Sequence, residues 1–183
     1  CRFRCKHCYQ KLDKGKDVDI QLVVDAARYL QDHGMGFFNI EGGEPFLTFD
    51  RLLALCRQID DRSEIWVNST GHGMTKEKLL ELKKTSLTVI MFSLHSYDED
   101  TVNAFMGDNN AWQNMVTAIA LCHEVGFSVA FNSCLPLQDF KNGNFEQVMQ
   151  QAKDFGGVLI QLIKPKPSGG WLESGAEEYS VED

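Results

Sequence analysis

Phe37-Phe38-Asn39-Ile40-Glu41-Gly42-Gly43-Glu44-Pro45 is the stretch that decides the architecture. Phe37 to Ile40 is a short, largely apolar run that enters paired glycines and a proline, residues that end regular structure. An apolar run bounded in this way, with helical patterns on either side, reads as one strand of a strand–helix repeat. Upstream, Ile20, Val23, Val24, Ala27 and Leu30 recur at helical spacing, preceded by Asp17 and Asp19 and closed by Gly34. Downstream, Leu52, Leu53, Leu55, Cys56 and Ile59 mark a second helix. The alternation then continues along the chain. Strands are expected at Ile65-Trp66-Val67, Leu87 to Leu94, Phe127 to Phe131 and Val158 to Ile163. Helices are expected around Lys76–Lys83, after Asp98-Glu99-Asp100, through Trp112, Met115, Val116, Ile119 and Ala120 up to Gly126, and over Phe145 to Phe155.

Strands that alternate with helices predict parallel βαβ units with right-handed crossovers. The fold class expected is therefore α/β, a partial (β/α)6 TIM-type barrel. Its first strand is expected upstream of Cys1, because a ligand loop at a barrel mouth follows a strand. Tyr179 to Asp183 reads as the start of a helix capped by Ser180, so the last helix is expected to be cut short as well. From Lys164 onward the Pro-, Gly- and Glu-rich composition predicts an irregular tail. Residues 1–183 are read as one domain from a longer chain, since the sequence opens inside a motif.

Acidic residues outnumber basic ones, 26 to 18, for a net charge of −8. Phosphate-rich partners bind mainly through Lys and Arg, so no nucleic acid is expected as a partner. No apolar run approaches the ~20 residues of a membrane helix, and no signal peptide is visible, so no membrane association is expected. The six cysteines are too few for a disulfide scaffold, and a reducing, cytoplasmic setting follows as the default.

Three of the six sit at Cys1, Cys5 and Cys8. Close clustering of three thiols on one loop suits metal ligation better than cross-linking. A four-iron cubane normally takes four Cys thiolates, so three ligands leave one iron open to a small molecule. Zinc is the alternative, with His7 as a fourth ligand and the chain a non-enzymatic zinc-binding module. Paired glycines at Gly42 and Gly43 let a backbone approach a ligand closely, and carbonyls or the Glu44 carboxylate can receive an ammonium group; an ordinary tight turn is the plainer reading.

Cys-x3-Cys-x2-Cys with an aromatic ring before the last Cys, here His7, resembles the signature of the radical S-adenosylmethionine (SAM) superfamily. Gly42-Gly43-Glu44-Pro45 is similar to the turn that in this family contacts the methionine amino group of SAM. The resemblance implies a [4Fe–4S] cluster on Cys1, Cys5 and Cys8, SAM chelated at the open iron, and a 5′-deoxyadenosyl radical that abstracts hydrogen from substrate. It also implies an electron donor of the flavodoxin or ferredoxin type. His7, Gly42, Gly43 and Glu44 are the implied cofactor-binding residues. Ser93 is added where the family contributes a ribose contact, and Asn132 as a contact to the SAM carboxylate. Many relatives carry Ser-Leu-Asp-Gly where this chain has Ser93-Leu94-His95-Ser96, which leaves His95 either a hydrogen-bonded strand-end residue or a substrate-facing one. Phe92 to Asp100, Phe105-Met106-Gly107 and Pro165 to Trp171 resemble the subgroup with SPASM or twitch extensions, which makes a peptide the expected substrate class. A barrel that binds SAM or a nucleotide without radical chemistry is a third reading.

Cys56 and Cys122 lie in helical apolar patterns and are expected in the core, and Cys134, at a strand end, is read as having no role, with a ligand or a thiol near substrate as the alternatives. Phe37, Phe38, Trp66, Phe127 and Phe131 are expected to be packing residues. Glu173, Glu177, Glu178 and Glu182 are expected on a solvated surface.

Overall fold

A computed structural model describes residues 1–10 and 15–174 of the chain. Five strands, β1 (Phe37–Ile40), β2 (Glu64–Ser69), β3 (Leu87–Ser93), β4 (Ser128–Cys134) and β5 (Leu159–Ile163), form one sheet in sequence order with every pair parallel. The connections run through α1 (Ile20–Asp32), α2 (Phe49–Cys56), α3 (Lys76–Leu82), α4 (Glu99–Met106), α5 (Ala111–Val125), α6 (Leu137–Lys141) and α7 (Asn144–Asp154), with α8 (Gly170–Ser174) after β5. This is the arrangement of a partial (β/α) barrel. Helix starts follow their caps: Asp19 accepts from the Gln21 amide at 2.7 Å, and Asp98 from the Thr101 amide at 2.8 Å. Gly107 and Gly126, both left-handed, end α4 and α5.

Alternation along the strands gives the sheet two unlike faces. Ile65, Val67, Ile90, Phe92, Val129 and Phe131 point toward the helices, where Leu79, Leu82, Met115, Ile119 and both Cys56 and Cys122 complete the main core. Full burial of a side chain of this size is worth about 1.5–3 kcal/mol. The opposite face carries a small buried apolar cluster of Val89, Met91 and Ala130 with Trp66. Along that face the alternation also places Asn39, Asn68, Ser93, Asn132 and Gln161, so toward the carboxyl ends of the strands it turns polar.

Several expectations need correcting. β4 runs on to Cys134, so Asn132, Ser133 and Cys134 belong to the strand rather than to the loop after it. α2 ends at Cys56, and Ile59 is buried from the following turn. α6 has no counterpart in the sequence pattern: Pro136 caps it, but five residues carry too little periodicity to register. The tail is not irregular throughout, because Gly170–Ser174 forms a short helix where it meets the cysteine loop. Phe37 is not a core residue: it is 46% exposed and meets the edge of Trp66 on the open face. The helix expected from Ser180, and the surface placement of Glu177, Glu178 and Glu182, lie outside the described residues, as does the side chain of Glu173. Among the described residues no helix is long and apolar enough to cross a membrane.

Candidate functional site

The site is built around the loop that carries Cys1, Cys5 and Cys8, and that loop is held from three directions. Below it, the Arg4 amide donates to the Met106 carbonyl and the Lys6 amide to the Phe105 carbonyl, both at 3.0 Å. Gly107 follows at φ 66°, and a Cβ there would lie 2.9 Å from the Arg4 carbonyl oxygen. Beside it, the turn after β1 brings Gly43 against Cys1, where a Cβ would come within 2.8 Å of both the Cys1 nitrogen and Cβ. Over it, the Gly170 amide donates to the Cys8 carbonyl at 2.9 Å. Inside the loop the Cys8 amide donates to the Cys5 carbonyl at 3.3 Å, a turn that sets these two thiols on one stretch.

The Gly42–Gly43 turn therefore sits directly against the first cysteine. A Cβ on Gly42 would meet nothing within 4 Å, and the turn lines a cavity of about 400 Å3 together with Cys1, Glu41 and Arg51. Glu44 is placed differently. Its side chain is buried, and one carboxylate oxygen accepts from the Phe46 amide (3.1 Å) and the Ser69 hydroxyl (2.9 Å). The other oxygen accepts from the Thr70 amide (2.7 Å) and the Thr70 hydroxyl. With four internal donors on the Glu44 carboxylate, and the Leu47 amide on the Glu44 carbonyl at 3.1 Å, the carbonyls of Gly42 and Gly43 are the turn's remaining acceptors. Glu41, one step earlier, accepts from the side-chain amides of Asn39 (2.8 Å) and Asn68 (2.7 Å). Asn68 Oδ1 is buried and has no hydrogen-bond partner among the described residues.

Ser93 and Asn132 are paired neighbours in the register of β3 and β4, and Asn132 in turn pairs with Gln161 of β5. The three make a polar row across the open face. Gln161 stands in that row as an equal of the two residues singled out from sequence.

His7 lies in a group of rings rather than in solvent. It stacks on Phe105 (centroids 4.9 Å apart, 16° between planes) and meets His95 edge-on at 4.6 Å. Burial lowers its pKa to about 4, so the ring is neutral at pH 7. His95 is buried and takes the Cys134 amide on Nδ1 at 3.1 Å, which leaves the proton on Nε2. Burial, and then the neighbouring His7, hold its pKa well below the usual histidine range. The structure thus gives His95 the hydrogen-bonded strand-end placement. His7 Nδ1 and His95 Nε2 are both buried without a partner among the described residues. Cys134 is buried, with its thiol pKa raised by burial and partly offset by a hydrogen bond with Trp171. A second cavity, about 450 Å3, lies between the β3–α4 loop and the start of α7 and touches none of the cysteines.

The three thiols fit a cubane better than a single ion. Among the described residues no group of three His, Cys, Asp or Glu is placed to hold one metal ion, as structural zinc requires. A cubane instead offers each thiolate its own iron, so the sulfurs need not converge. Cys5 is half-buried, and burial, with Cys8 as a second cause, pushes its free thiol up to about 12. The bare Gly42–Gly43 turn borders the cavity beside Cys1.

These features define a class: a parallel partial barrel with a three-cysteine loop and a glycine turn meeting at the carboxyl ends of its strands. Residues 1–152 match the Radical SAM superfamily, and the chain belongs to that superfamily. It is 24% identical over 178 residues to a probable GTP 3′,8-cyclase of Archaeoglobus fulgidus, covering 93% of this chain and 59% of the relative. It is 31% identical over 144 residues to the GTP 3′,8-cyclase of Trichodesmium erythraeum, covering 69% and 42% respectively. The chain thus spans roughly half the length of these relatives. Its fold is similar to that of Streptococcus suis SuiB bound to S-adenosylmethionine, with a TM-score of 0.76 at 17% identity over 98% of this chain and 41% of that one. It is similar also to SuiB bound to the precursor peptide SuiA, with a TM-score of 0.74 at 17% identity over 91% and 37%.

Proposed function

We propose that this chain is the catalytic core of an enzyme that cleaves SAM reductively and removes a hydrogen atom from its substrate. The observation that carries the reading is the contact of the Gly42–Gly43 turn with Cys1, which sets an ammonium-accepting backbone beside the cluster loop. Cys1, Cys5 and Cys8 would hold three corners of a [4Fe–4S] cluster. When bound, that cluster supplies the electron that splits the sulfonium into methionine and a 5′-deoxyadenosyl radical. The turn carbonyls receive the ammonium group of the methionyl end, and Glu44 keeps the turn in shape from behind. Ser93 and Asn132 present a hydroxyl and an amide to the ribose or carboxylate. His7, neutral and packed on Phe105, offers a flat face on the cofactor side of the loop. The electron would come from a flavodoxin- or ferredoxin-type protein in a cytoplasmic setting.

A peptide is the substrate class we favour, in keeping with the SPASM-type resemblance. Asn39, Trp66, Asn68, Ser93, Asn132 and Gln161 on the open face include no Lys or Arg, and Glu41 adds a negative charge beside them. A polyphosphate needs cations there, whereas a peptide needs donors and acceptors. A purine nucleotide is the second reading, favoured by the names of the relatives in A. fulgidus and T. erythraeum.

Anaerobic reconstitution with iron and sulfide, followed by dithionite and SAM, tests the proposal. Equal amounts of 5′-deoxyadenosine and methionine are expected, and their loss in Cys5→Ala. Stoichiometric zinc without iron in anaerobically purified protein, or full turnover in Cys5→Ala, overturns it.

A further inference from the structure

Among the described glycines, the two after β5 approach the backbone of the cysteine loop most closely. A Cβ on Gly170 would lie 2.1 Å from the Lys6 carbonyl oxygen and 3.2 Å from the Cys8 nitrogen. A Cβ on Gly169, at φ 53°, would lie 2.4 Å from Tyr9 Cα and 2.6 Å from the Cys8 carbonyl oxygen. These are backbone atoms on both sides, so no side-chain rotation could relieve the overlap. Only glycine fits at either position.

The approach is fixed at both of its ends. Ser168 donates to the Lys166 carbonyl at 2.7 Å, and the Trp171 amide donates to the Ser168 carbonyl at 3.1 Å, so the glycines sit inside a closed turn. Trp171 then packs 5.9 Å from Phe105 and 6.3 Å from His7, and shares a hydrogen bond with Cys134 at the end of β4. His95 meets both His7 and Phe105 and is itself tied to β4 through the Cys134 amide. Two ends of the sheet and the cysteine loop therefore share one ring cluster.

We propose that Ser168–Trp171 is a clasp that holds the Lys6–Tyr9 backbone in its cluster-binding shape and so governs how long the cluster is retained. The inference rests on the reading of Cys1, Cys5 and Cys8 as cluster ligands. Gly169, Gly170 and Trp171 are positioning residues: they touch the loop's backbone and the ring of His7. Opening the clasp removes the Gly170–Cys8 hydrogen bond and the ring contacts, and leaves the helix-side core untouched.

The test measures iron release from anaerobically reconstituted protein into a chelator, with thermal unfolding of each apo-protein alongside. Gly170→Ala is expected to release iron about tenfold faster than wild type, the scale of one lost hydrogen bond with its contacts. Trp171→Ala, which creates no overlap, is expected to do the same to a smaller degree while keeping its apo-protein melting temperature. Gly36→Ala, where a Cβ meets nothing within 4 Å, is the control and should release iron at the wild-type rate. Release from Trp171→Ala and from any folded Gly170→Ala within twofold of wild type overturns the clasp. If wild type itself takes up no cluster, the cysteine reading fails first, and the clasp falls with it.

Discussion

Glu44→Gln is the sharpest test of what the glycine turn needs from its own acidic residue. The carboxylate accepts four hydrogen bonds, two on each oxygen, and two of the four donors are backbone amides, of Phe46 and Thr70. An amide of the same shape keeps one oxygen and replaces the other with a donor. Ser69 and Thr70 hydroxyls can rotate to accept, but a backbone N–H cannot. One buried amide must then face an NH2 group, whichever way the glutamine is turned. Hydrogen bonds to a charged group are worth about 1.5–3 kcal/mol each, and leaving a buried donor unmet costs on the order of 1–3 kcal/mol. The expected loss is therefore about 3 kcal/mol. For a chain of this length about 1 kcal/mol moves the melting temperature by roughly 2–4 °C, so a drop on the order of 6–12 °C is expected. Urea denaturation and thermal melts of the apo-protein measure it. A Glu44→Gln variant within 0.5 kcal/mol of wild type, by a threshold of ordinary surface substitutions, refutes the reasoning. If that variant also lost SAM binding, the carboxylate would serve the ligand rather than the turn.

Two further expectations concern the core. Gly157→Ala puts a Cβ 2.7 Å from the buried ring of Phe131 and 2.9 Å from the Ala152 carbonyl oxygen, so an overpacking cost of about 1–3 kcal/mol is expected; a urea midpoint equal to wild type contradicts it. Cys56 and Cys122 are buried thiols whose pKa values burial pushes up from 9.0 to about 12. Because the folded value lies above the unfolded one, their contribution is complete below pH 9 and is lost as pH rises toward 12, by up to about 2 kcal/mol per thiol at pH 10.5. The pH profile of stability from 8 to 10.5 should therefore fall more steeply in wild type than in the Cys56→Ala/Cys122→Ala double variant, and parallel profiles would show that these thiols do not titrate with unfolding.

All five strands were legible because each is an apolar run between turn residues, and the parallel sheet followed from the helical patterns between them. Their ends were less legible. Asn68, Ser69, Asn132 and Ser133 are polar and read as loop, yet they lie inside strands because the sheet's ladder does not depend on side-chain polarity. The pleat turns Ser69 and Ser133 to the helix side, where each hydroxyl donates to an acceptor, Glu44 for one and the Leu94 carbonyl for the other. Phe37 misled in the opposite sense. Its apolar character marks a strand correctly but says nothing about which face the pleat assigns it, and it lands on the open side.

The cysteine loop shows where local reading stops. The candidate ligands stand out by spacing, since three thiols within eight residues have few other uses. What shapes the loop does not, because its partners come from Gly43, Gly107 and Gly169–Gly170, brought in from the ends of three different βα units. A glycine in sequence marks a turn far more often than a close approach, and the two look alike until the facing backbone is known. Pro167-Ser168-Gly169-Gly170 reads as a breaker within a loose tail for that reason, although its second glycine accepts no side chain at all against Lys6. His7 and His95 follow the same logic. Each is an ordinary histidine in sequence, and only the packing of β3, α4 and the tail brings half-buried His7 of the cysteine loop against buried His95. The chemistry of this site is therefore local to one loop, while its geometry belongs to the carboxyl ends of the whole sheet.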